Sequence, residues 1–197
     1  MTTTRQPPEA DTAARILDAA ERLVQLRGFN GFSYADVASE LNITKASLHY
    51  HFASKATLGE ALITRYGERF AAARATIDAG PTAARAMLLA YADLYAGVLE
   101  GQRMCLCGML AAEYQTLPET MQHAVIAFFD QNEAWLARVL AQGKRRGDLR
   151  FNGSAREIAR AILSALEGAL LTSRPYSDPA RFQTTARRLI AALTTPS

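Results

Sequence analysis

Residues 28–55 read GFNGFSYADVASELNITKASLHYHFASK, and this stretch decides the fold. Ser33, followed three residues later by Asp36, has the form of a helix-capping box and opens a short helix. The Asn-Ile pair after this helix makes a turn, and Thr44 then caps a second short helix over residues 45–51. Two short helices joined by a tight turn are typical of a helix-turn-helix, in which the second helix enters the major groove of DNA.

The second of these helices has a polar and aromatic exterior. Leu48 and Phe52 fall on its buried side, which leaves five other positions for the remaining surfaces. Lysine and histidine can donate to guanine acceptors, serine can bond to either base partner, and tyrosine offers a ring to a thymine methyl group. A solvated helix face has a similar composition, so both interpretations stay open for Lys45, Ser47, His49, Tyr50 and His51.

Apolar residues at helical spacing continue on both sides of this stretch. They predict a first helix over residues 12–27 and a long fourth helix over residues 55–78, which ends at the Gly80-Pro81 stop signal. The sequence therefore predicts an all-α fold of about nine helices. The five helices beyond the stop signal are predicted at 82–99, 104–115, 119–143, 155–173 and 179–194.

This pattern divides the chain into three segments. Residues 1–11 are predicted to be a flexible arm, whose Arg5 could reach a minor groove. Residues 12–58 form the helix-turn-helix DNA-binding domain, which helix 55–78 links to an effector-binding and dimerisation domain over residues 59–197. The apolar stripes of helices 155–173 and 179–194 bury each other within one subunit or form a four-helix interface between two subunits.

Composition sets the class of protein but not its function. The 197 residues carry a net charge of +3, and the first 60 contain six Lys or Arg against seven Asp or Glu, so charge alone does not indicate DNA binding. The polar N-terminus lacks the apolar core of a signal peptide, and no stretch reaches the ~18 apolar residues of a membrane span. We therefore expect a cytoplasmic protein with no membrane partner and no cofactor.

The string from Gly28 to Ala38, followed by the string from Asn42 to Lys55, closely resembles the N-terminal signature of the TetR family of repressors. The resemblance implies a homodimer that binds a palindromic double-stranded DNA operator and responds to a small-molecule effector. It implies base-edge contacts around Lys45, Ser47, His49 and Tyr50, phosphate contacts from Tyr34, His51 and Lys55, and further DNA contacts at Ser33 and Thr44. The family usually has tyrosine where this chain has His49, which puts the contact at that position in doubt.

The resemblance also implies a ligand pocket enclosed by the middle helices. Aromatic and methionine side chains at helical spacing are equally what any core needs, so each candidate wall residue has a plain packing alternative. Together these residues suggest an aromatic or apolar ligand. They are Tyr66, Phe70, Tyr91, Tyr95, Met104, Cys105, Met109, Tyr114, Phe128 and Trp135.

The two cysteines, Cys105 and Cys107, are too few and too close together for a disulfide framework. On a helix they would point to nearly opposite sides, so they are a weak signal for metal, and no metal site is predicted. The segment is similar to one in a subset of TetR-type repressors that respond to electrophiles or oxidants. On that basis Cys105, nearer the helix N-terminus where the dipole favours thiolate, is the better candidate sensor. The alternative is two small buried hydrophobes.

The sequence offers less support for other classes of protein. No nucleophile elbow, phosphate loop or zinc-peptidase pattern is present, so an enzyme is not expected. A helix-turn-helix regulator controlled by a protein partner, or acting as an activator, stays open. Glu113 and His123 could orient a polar ligand, and residues 144–146, Lys-Arg-Arg, could cap a helix or contact DNA a second time.

Overall fold

The computed structural model describes residues 9–80, 83–99 and 101–193. Within these residues the chain forms nine α-helices and no strand, which confirms the predicted all-α fold. Short 3-10 turns follow the sixth and the eighth helix. The helices are α1 Glu9–Arg27, α2 Tyr34–Leu41, α3 Lys45–His51, α4 Lys55–Ala79, α5 Ala84–Leu99, α6 Leu106–Ala112, α7 Glu119–Arg146, α8 Ala155–Ser173 and α9 Pro179–Ala191.

Helix ends differ from the predictions at several places. Helix α5 begins at Ala84 rather than residue 82, α6 ends at Ala112 rather than residue 115, and α9 ends at Ala191 rather than residue 194. Helix α1 begins at Glu9, so the end of the predicted arm is helical, while residues 1–8, with the predicted role of Arg5, lie outside the described residues. Helix α6 begins only at Leu106, because Cys105 has the extended backbone of a cap residue. Helix α7 continues through the basic cluster at residues 144–146, which forms its last turn instead of following it.

Helices α1, α2 and α3 pack together at one end of α4. Val37 of α2 and Leu48 of α3 are fully buried, and the two helices are joined by Asn42, whose left-handed backbone turns the chain sharply. Because these short helices have little stability on their own, the packing of α2 on α1 and of α3 on α2 sets the orientation of α3. The predicted helix-turn-helix is therefore present, with α3 as the exposed second helix.

Helices α1, α2 and α3 with the start of α4 form a first packing unit. The rest of α4 packs with α5, α7, α8 and α9 in a second unit. Leu58 and Leu62 lie in the buried first half of α4, and Tyr66 and Phe70 are buried one and two turns further along. Helix α6 contacts α1, α4 and α7, so it lies where the two units meet. None of the helices in the described part of the chain is long and apolar enough to cross a membrane.

Candidate functional site

Helix α3 presents its polar face to solvent from a rigid base. The Thr44 hydroxyl accepts a hydrogen bond from the Ser47 backbone N–H at 3.1 Å, which caps the helix as predicted. Leu48 anchors the opposite face with no exposed surface. Lys45 and His49 are exposed, and Tyr50 is 74% exposed, an unusual position for a large aromatic side chain. This surface is the best candidate for contact with another molecule.

Tyr34 and Ser33 support the neighbouring helices. The Tyr34 hydroxyl donates to the Phe52 carbonyl at 2.9 Å, and its ring lies 4.8 Å from the His49 ring. Burial raises the pKa of Tyr34 to about 12, so the hydroxyl keeps its proton at neutral pH. The Asp36 carboxylate accepts from the Ser33 backbone N–H at 2.7 Å, as in the predicted capping box. The Tyr34 ring thus lies against His49 and supports its position on α3.

The loop between α1 and α2 is clamped by two opposite charges. Glu113, which caps the end of α6, accepts from the backbone N–H of Phe29 at 2.6 Å and of Asn30 at 3.2 Å. Lys55, at the start of α4, donates to the carbonyls of Phe29 at 2.5 Å and Phe32 at 2.6 Å. One side chain therefore satisfies the amides of this loop while the other satisfies its carbonyls.

This arrangement gives Lys55 a structural role. Its ammonium lies 4.6 Å from the centre of the Phe29 ring and 4.4 Å from that of Phe32. Burial lowers the pKa of Lys55, and the charge of Glu113 works against this shift. Two of the three donors of the ammonium are thus occupied inside the chain.

Glycine is required at position 28 for the clamp to close. Gly28 has a φ of +85°, which L-residues with side chains rarely adopt. A Cβ atom at this position would lie 2.5 Å from Oε1 of Glu113. Any larger residue would both strain the backbone and displace the carboxylate.

Two more hydrogen bonds tie the second unit to the end of α1. The Met104 N–H, just before α6, donates to the Gln25 carbonyl at 3.1 Å. The Arg174 guanidinium, just after α8, donates to the Leu26 carbonyl at 2.5 Å. Met104 before α6 and Glu113 at its end are thus both bonded to the segment that leads into the helix-turn-helix. A shift of α6 would therefore displace that segment.

We expect Glu113→Ala to free this loop. The substitution leaves the Phe29 and Asn30 amides without their acceptor, which should cost ~1–3 kcal/mol of unfolding free energy. Hydrogen exchange followed by mass spectrometry should show faster exchange at these two amides. Glu113→Gln, which keeps an acceptor oxygen, is the matched control. Unchanged exchange in Glu113→Ala would show that the clamp does not hold the loop.

Six of the predicted pocket residues form one continuous aromatic core. Ring centres in neighbouring pairs lie 5.0–5.6 Å apart, so the rings fill the space between α4, α5 and α7. All six are buried. In order of contact the core runs through Phe128, Tyr66, Phe70, Tyr95, Tyr91 and Trp135.

A buried polar network lies along this core. Asn132, which has no exposed surface, accepts at Oδ1 from Arg74 at 2.7 Å and from the Tyr91 hydroxyl at 3.0 Å. Its amide donates to the Phe128 carbonyl at 2.7 Å, and the hydroxyls of Tyr91 and Tyr95 are 3.1 Å apart. These bonds satisfy polar groups that would otherwise be costly in an aromatic interior.

The remaining predicted pocket residues lie in and around α6, and Cys105 among them contacts the aromatic core through the Tyr66 hydroxyl. Met104 is buried, and its backbone is bonded to α1. Met109 is half-buried, and its sulfur lies 4.0 Å from Arg174. Tyr114 is half-buried in the 3-10 turn after α6. His123 is largely exposed beside Glu119 on α7.

Both cysteines are fully buried, as in the alternative in which they are small hydrophobes, and a thiolate sensor at Cys105 stays a prediction. Burial, followed by the nearby charge of Glu167, raises the pKa of the Cys105 thiol well above its usual value. The backbone N–H of Gly108 lowers this pKa, as expected at a helix start, but by less. Burial also raises the pKa of Cys107. The Tyr66 hydroxyl lies 3.6 Å from the Cys105 sulfur.

Comparison with known proteins agrees with this architecture. Residues 16–62 match the model of bacterial regulatory proteins of the tetR family, and residues 80–189 match that of the tetracyclin repressor-like C-terminal domain. The chain belongs to the TetR family of transcriptional regulators. Members of this family are DNA-binding regulators and not enzymes, which confirms both predictions from the sequence.

Two solved structures of TetR-family regulators are similar over nearly the whole chain. One, from Agrobacterium tumefaciens, is 32% identical with a TM-score of 0.91 and covers 95% of this chain and 100% of its own. Another, from Legionella pneumophila, is 31% identical with a TM-score of 0.83 and covers 98% of this chain and 99% of its own. The similarity therefore includes the second unit as well as the helix-turn-helix.

A curated relative is similar over the DNA-binding part only. It is the biofilm operon icaADBC HTH-type negative transcriptional regulator IcaR of Staphylococcus aureus, 44% identical over 46 residues. The match covers 23% of this TetR-family chain and 25% of the relative. It therefore bears on the helix-turn-helix only.

We expect both thiols of this TetR-family chain to react slowly while it is folded. The thiolate is the reactive form, so alkylation by iodoacetamide should be at least ~100-fold slower than in urea, where the thiols are exposed. Cys105→Ser and Cys107→Ser assign any labelling that occurs. Rapid alkylation of Cys105 in the folded protein would support it as an electrophile sensor.

Sequence reasoning missed two charged side chains that the fold places inside. Arg74 enters the aromatic core, and Glu167 lies under α6. It named Glu113, but not the bonds of that carboxylate to the loop at Phe29. Glu167 and Arg74 each interrupt an apolar helix face, which was a signal for a special environment. What each touches depended on the packing of helices distant in sequence.

Proposed function

We propose that the chain is a cytoplasmic homodimeric repressor that binds a palindromic operator and is released by a small molecule with an aromatic or apolar body. The observation that carries this proposal is the joint between the two units. Glu113 and Met104, at the two ends of α6, are bonded to the segment leading into the helix-turn-helix. A change in the effector unit can therefore alter the orientation of α3.

On the DNA side, we assign base-edge contacts to Lys45, Ser47, His49 and Tyr50. The exposure of three of these four side chains supports the assignment, as does their place on the second helix of the motif. Phosphate contacts are assigned to His51 and to the helix starts at Ser33 and Thr44. Tyr34 and Lys55 are assigned to support, since their polar atoms are bonded within the chain.

We place the dimer interface on α8 and α9, which pack on each other within the subunit. The outer face of α8 carries exposed small residues, among them Ala161 and Gly168, next to Leu171, which is 60% exposed. A Cβ atom at Gly168 would contact nothing within 4 Å in the subunit, so this position is open to a second helix. Small residues allow close approach of helices across a two-fold axis.

The name of IcaR, a negative regulator, supports repression over activation, although the similarity covers only its DNA-binding quarter. The test is a fluorescence-anisotropy titration against the intergenic DNA beside the chain's own coding sequence, with and without a panel of aromatic and apolar compounds. We expect tight, salt-sensitive binding that one class of compound abolishes. Binding that no compound changes, together with a stoichiometric complex with a cellular protein, would favour control by a protein partner. DNA binding that increases transcription would favour an activator.

A further inference from the structure

The carboxyl group of Glu167, on α8, points into the interior under α6. Its Oε1 atom is shielded from solvent and accepts no hydrogen bond from the described residues. The other carboxyl oxygen is so close to α6 that a Cβ atom at Gly108 would lie 2.5 Å from it. An acceptor left unsatisfied in a protein interior is costly, so it is a candidate position for an incoming donor.

The surroundings of Glu167 are aromatic and contain thiols, and no basic side chain in the described part of the chain pairs with it. Its charge acts on Tyr66, Tyr91 and Tyr95 of the aromatic core and on Cys105 and Cys107. Burial raises the pKa of the Glu167 carboxyl, and a hydrogen bond with the Cys105 thiol lowers it by less. Arg74, the buried cation of the same core, is bonded to Asn132 instead.

We propose that Glu167 recognises the positively charged nitrogen of an organic amine whose apolar or aromatic body packs among the core rings. A buried carboxylate next to aromatic faces matches such a ligand, because the carboxylate pairs with the charge and the ring faces attract a cation. The inference rests on the proposed small-molecule response and names the chemical class of its effector.

A groove on the surface indicates where the body of the ligand enters. It has a volume of about 310 Å³ and runs between α4 and α7, where Gly67, Ala71 and Ala127 leave room. Phe128 forms its floor, and the Phe128 ring lies 5.5 Å from that of Tyr66, whose hydroxyl reaches Cys105. Because the rings fill the core, binding has to displace Phe128 or Tyr66.

Displacement of Tyr66 provides a link to the DNA-binding unit. The Tyr66 hydroxyl contacts Cys105, which caps the start of α6. The next residue back, Met104, bonds to Gln25 of α1, and Glu113 at the far end of α6 holds the loop at Phe29. An amine that enters beside Glu167 would therefore act on α6 directly.

The test compares 4-phenylbutylamine with 4-phenylbutanol, which have the same body and differ in charge. Binding to the full-length protein is measured by titration calorimetry. The amine should bind wild type more tightly than the alcohol, and Glu167→Gln should weaken amine binding by ~10- to 100-fold while leaving the alcohol unaffected. The matched control is Glu68→Gln, at the exposed wall of the groove, which should retain the preference for the amine.

The pH dependence provides a readout that a purely structural role would not move. Burial raises the pKa of Glu167 to about 7. The amine keeps its charge below this value while the carboxylate is protonated, so amine affinity should fall ~10-fold from about pH 8 to about pH 6. This dependence should be absent in Glu167→Gln. Folding of the variant is checked by its melting temperature at about pH 8, which should equal or exceed that of wild type because a buried charge is removed.

Several results would overturn the inference. These are equal binding of amine and alcohol to wild type, an amine preference that survives in Glu167→Gln, loss of the preference in Glu68→Gln, or no binding by either probe or by larger arylalkylamines. The operator titration on the same samples separates this outcome from failure of the proposed function. Release from DNA by uncharged compounds only would support the proposed repressor and contradict the amine site. Amine binding that requires Glu167, without any binding to DNA, would support the amine site and contradict the proposed repressor.

Discussion

Tyr50→Ala should lower the affinity for the operator by ~100-fold and leave the fold unchanged. The side chain is 74% exposed at the tip of α3, so its removal costs little packing within the subunit. In the proposed complex the substitution removes a ring contact with a base and a hydroxyl contact with phosphate. Contacts of this kind contribute ~1–3 kcal/mol to binding for each base position, and a palindromic operator has two half-sites. Fluorescence anisotropy with operator and with unrelated DNA measures the loss.

Two control variants sharpen this prediction. Tyr50→Phe keeps the ring and removes the hydroxyl, so it separates the base contact from the phosphate contact. Tyr176→Ala removes another exposed tyrosine, 62% exposed in the 3-10 turn after α8, outside the DNA-binding helices. Its operator affinity should equal that of wild type. If Tyr50→Ala binds the operator like wild type, α3 is not the recognition helix.

Asn132→Ala should destabilise the protein by ~3 kcal/mol, the largest effect expected from a single substitution in the second unit. Asn132 is fully buried and supplies the acceptor for both Arg74 and Tyr91. Its loss leaves the buried guanidinium of Arg74 without that partner and opens a cavity beside the rings. Urea unfolding at fixed protein concentration measures the change, since dimerisation would make stability concentration-dependent.

Two variants test whether the unpaired charge is the cause. Gln131→Ala, at the exposed neighbouring position of α7, should change stability by less than ~0.5 kcal/mol. The double variant Arg74→Met/Asn132→Leu replaces the polar pair by apolar groups and should recover part of the loss. A double variant as unstable as the sum of the two single variants would place the cost in the lost packing.

The helix-turn-helix could be predicted from the sequence almost residue by residue. Its signals are local: Thr44 caps α3, Asn42 turns the chain, and Leu48 marks the buried face, and each acts within a few residues. The predicted bounds of α3 and α8 agree with the structure for the same reason, because caps and apolar periodicity are properties of one helix.

The roles of Lys55 and Cys105 could not be predicted in this way. Lys55 matches a DNA-binding motif in sequence, yet its ammonium is held by the carbonyls of Phe29 and Phe32, more than twenty residues away. Cys105 begins a helix, which favours a thiolate, but burial and Glu167 of α8 raise its pKa. In both cases the environment comes from residues that are distant in sequence.

By itself, the sequence determined the helices, the position of α3 and the family to which the chain belongs, because caps, periodicity and motif spacing are encoded by neighbouring residues. Tertiary structure alone decided the clamp between Glu113 and the loop at Phe29, the bond between Arg74 and Asn132, and the burial of Glu167. These contacts join residues 58 or more positions apart or depend on the closure of the core, and the energy of a buried charge is set by all the groups around it rather than by its neighbours in the chain.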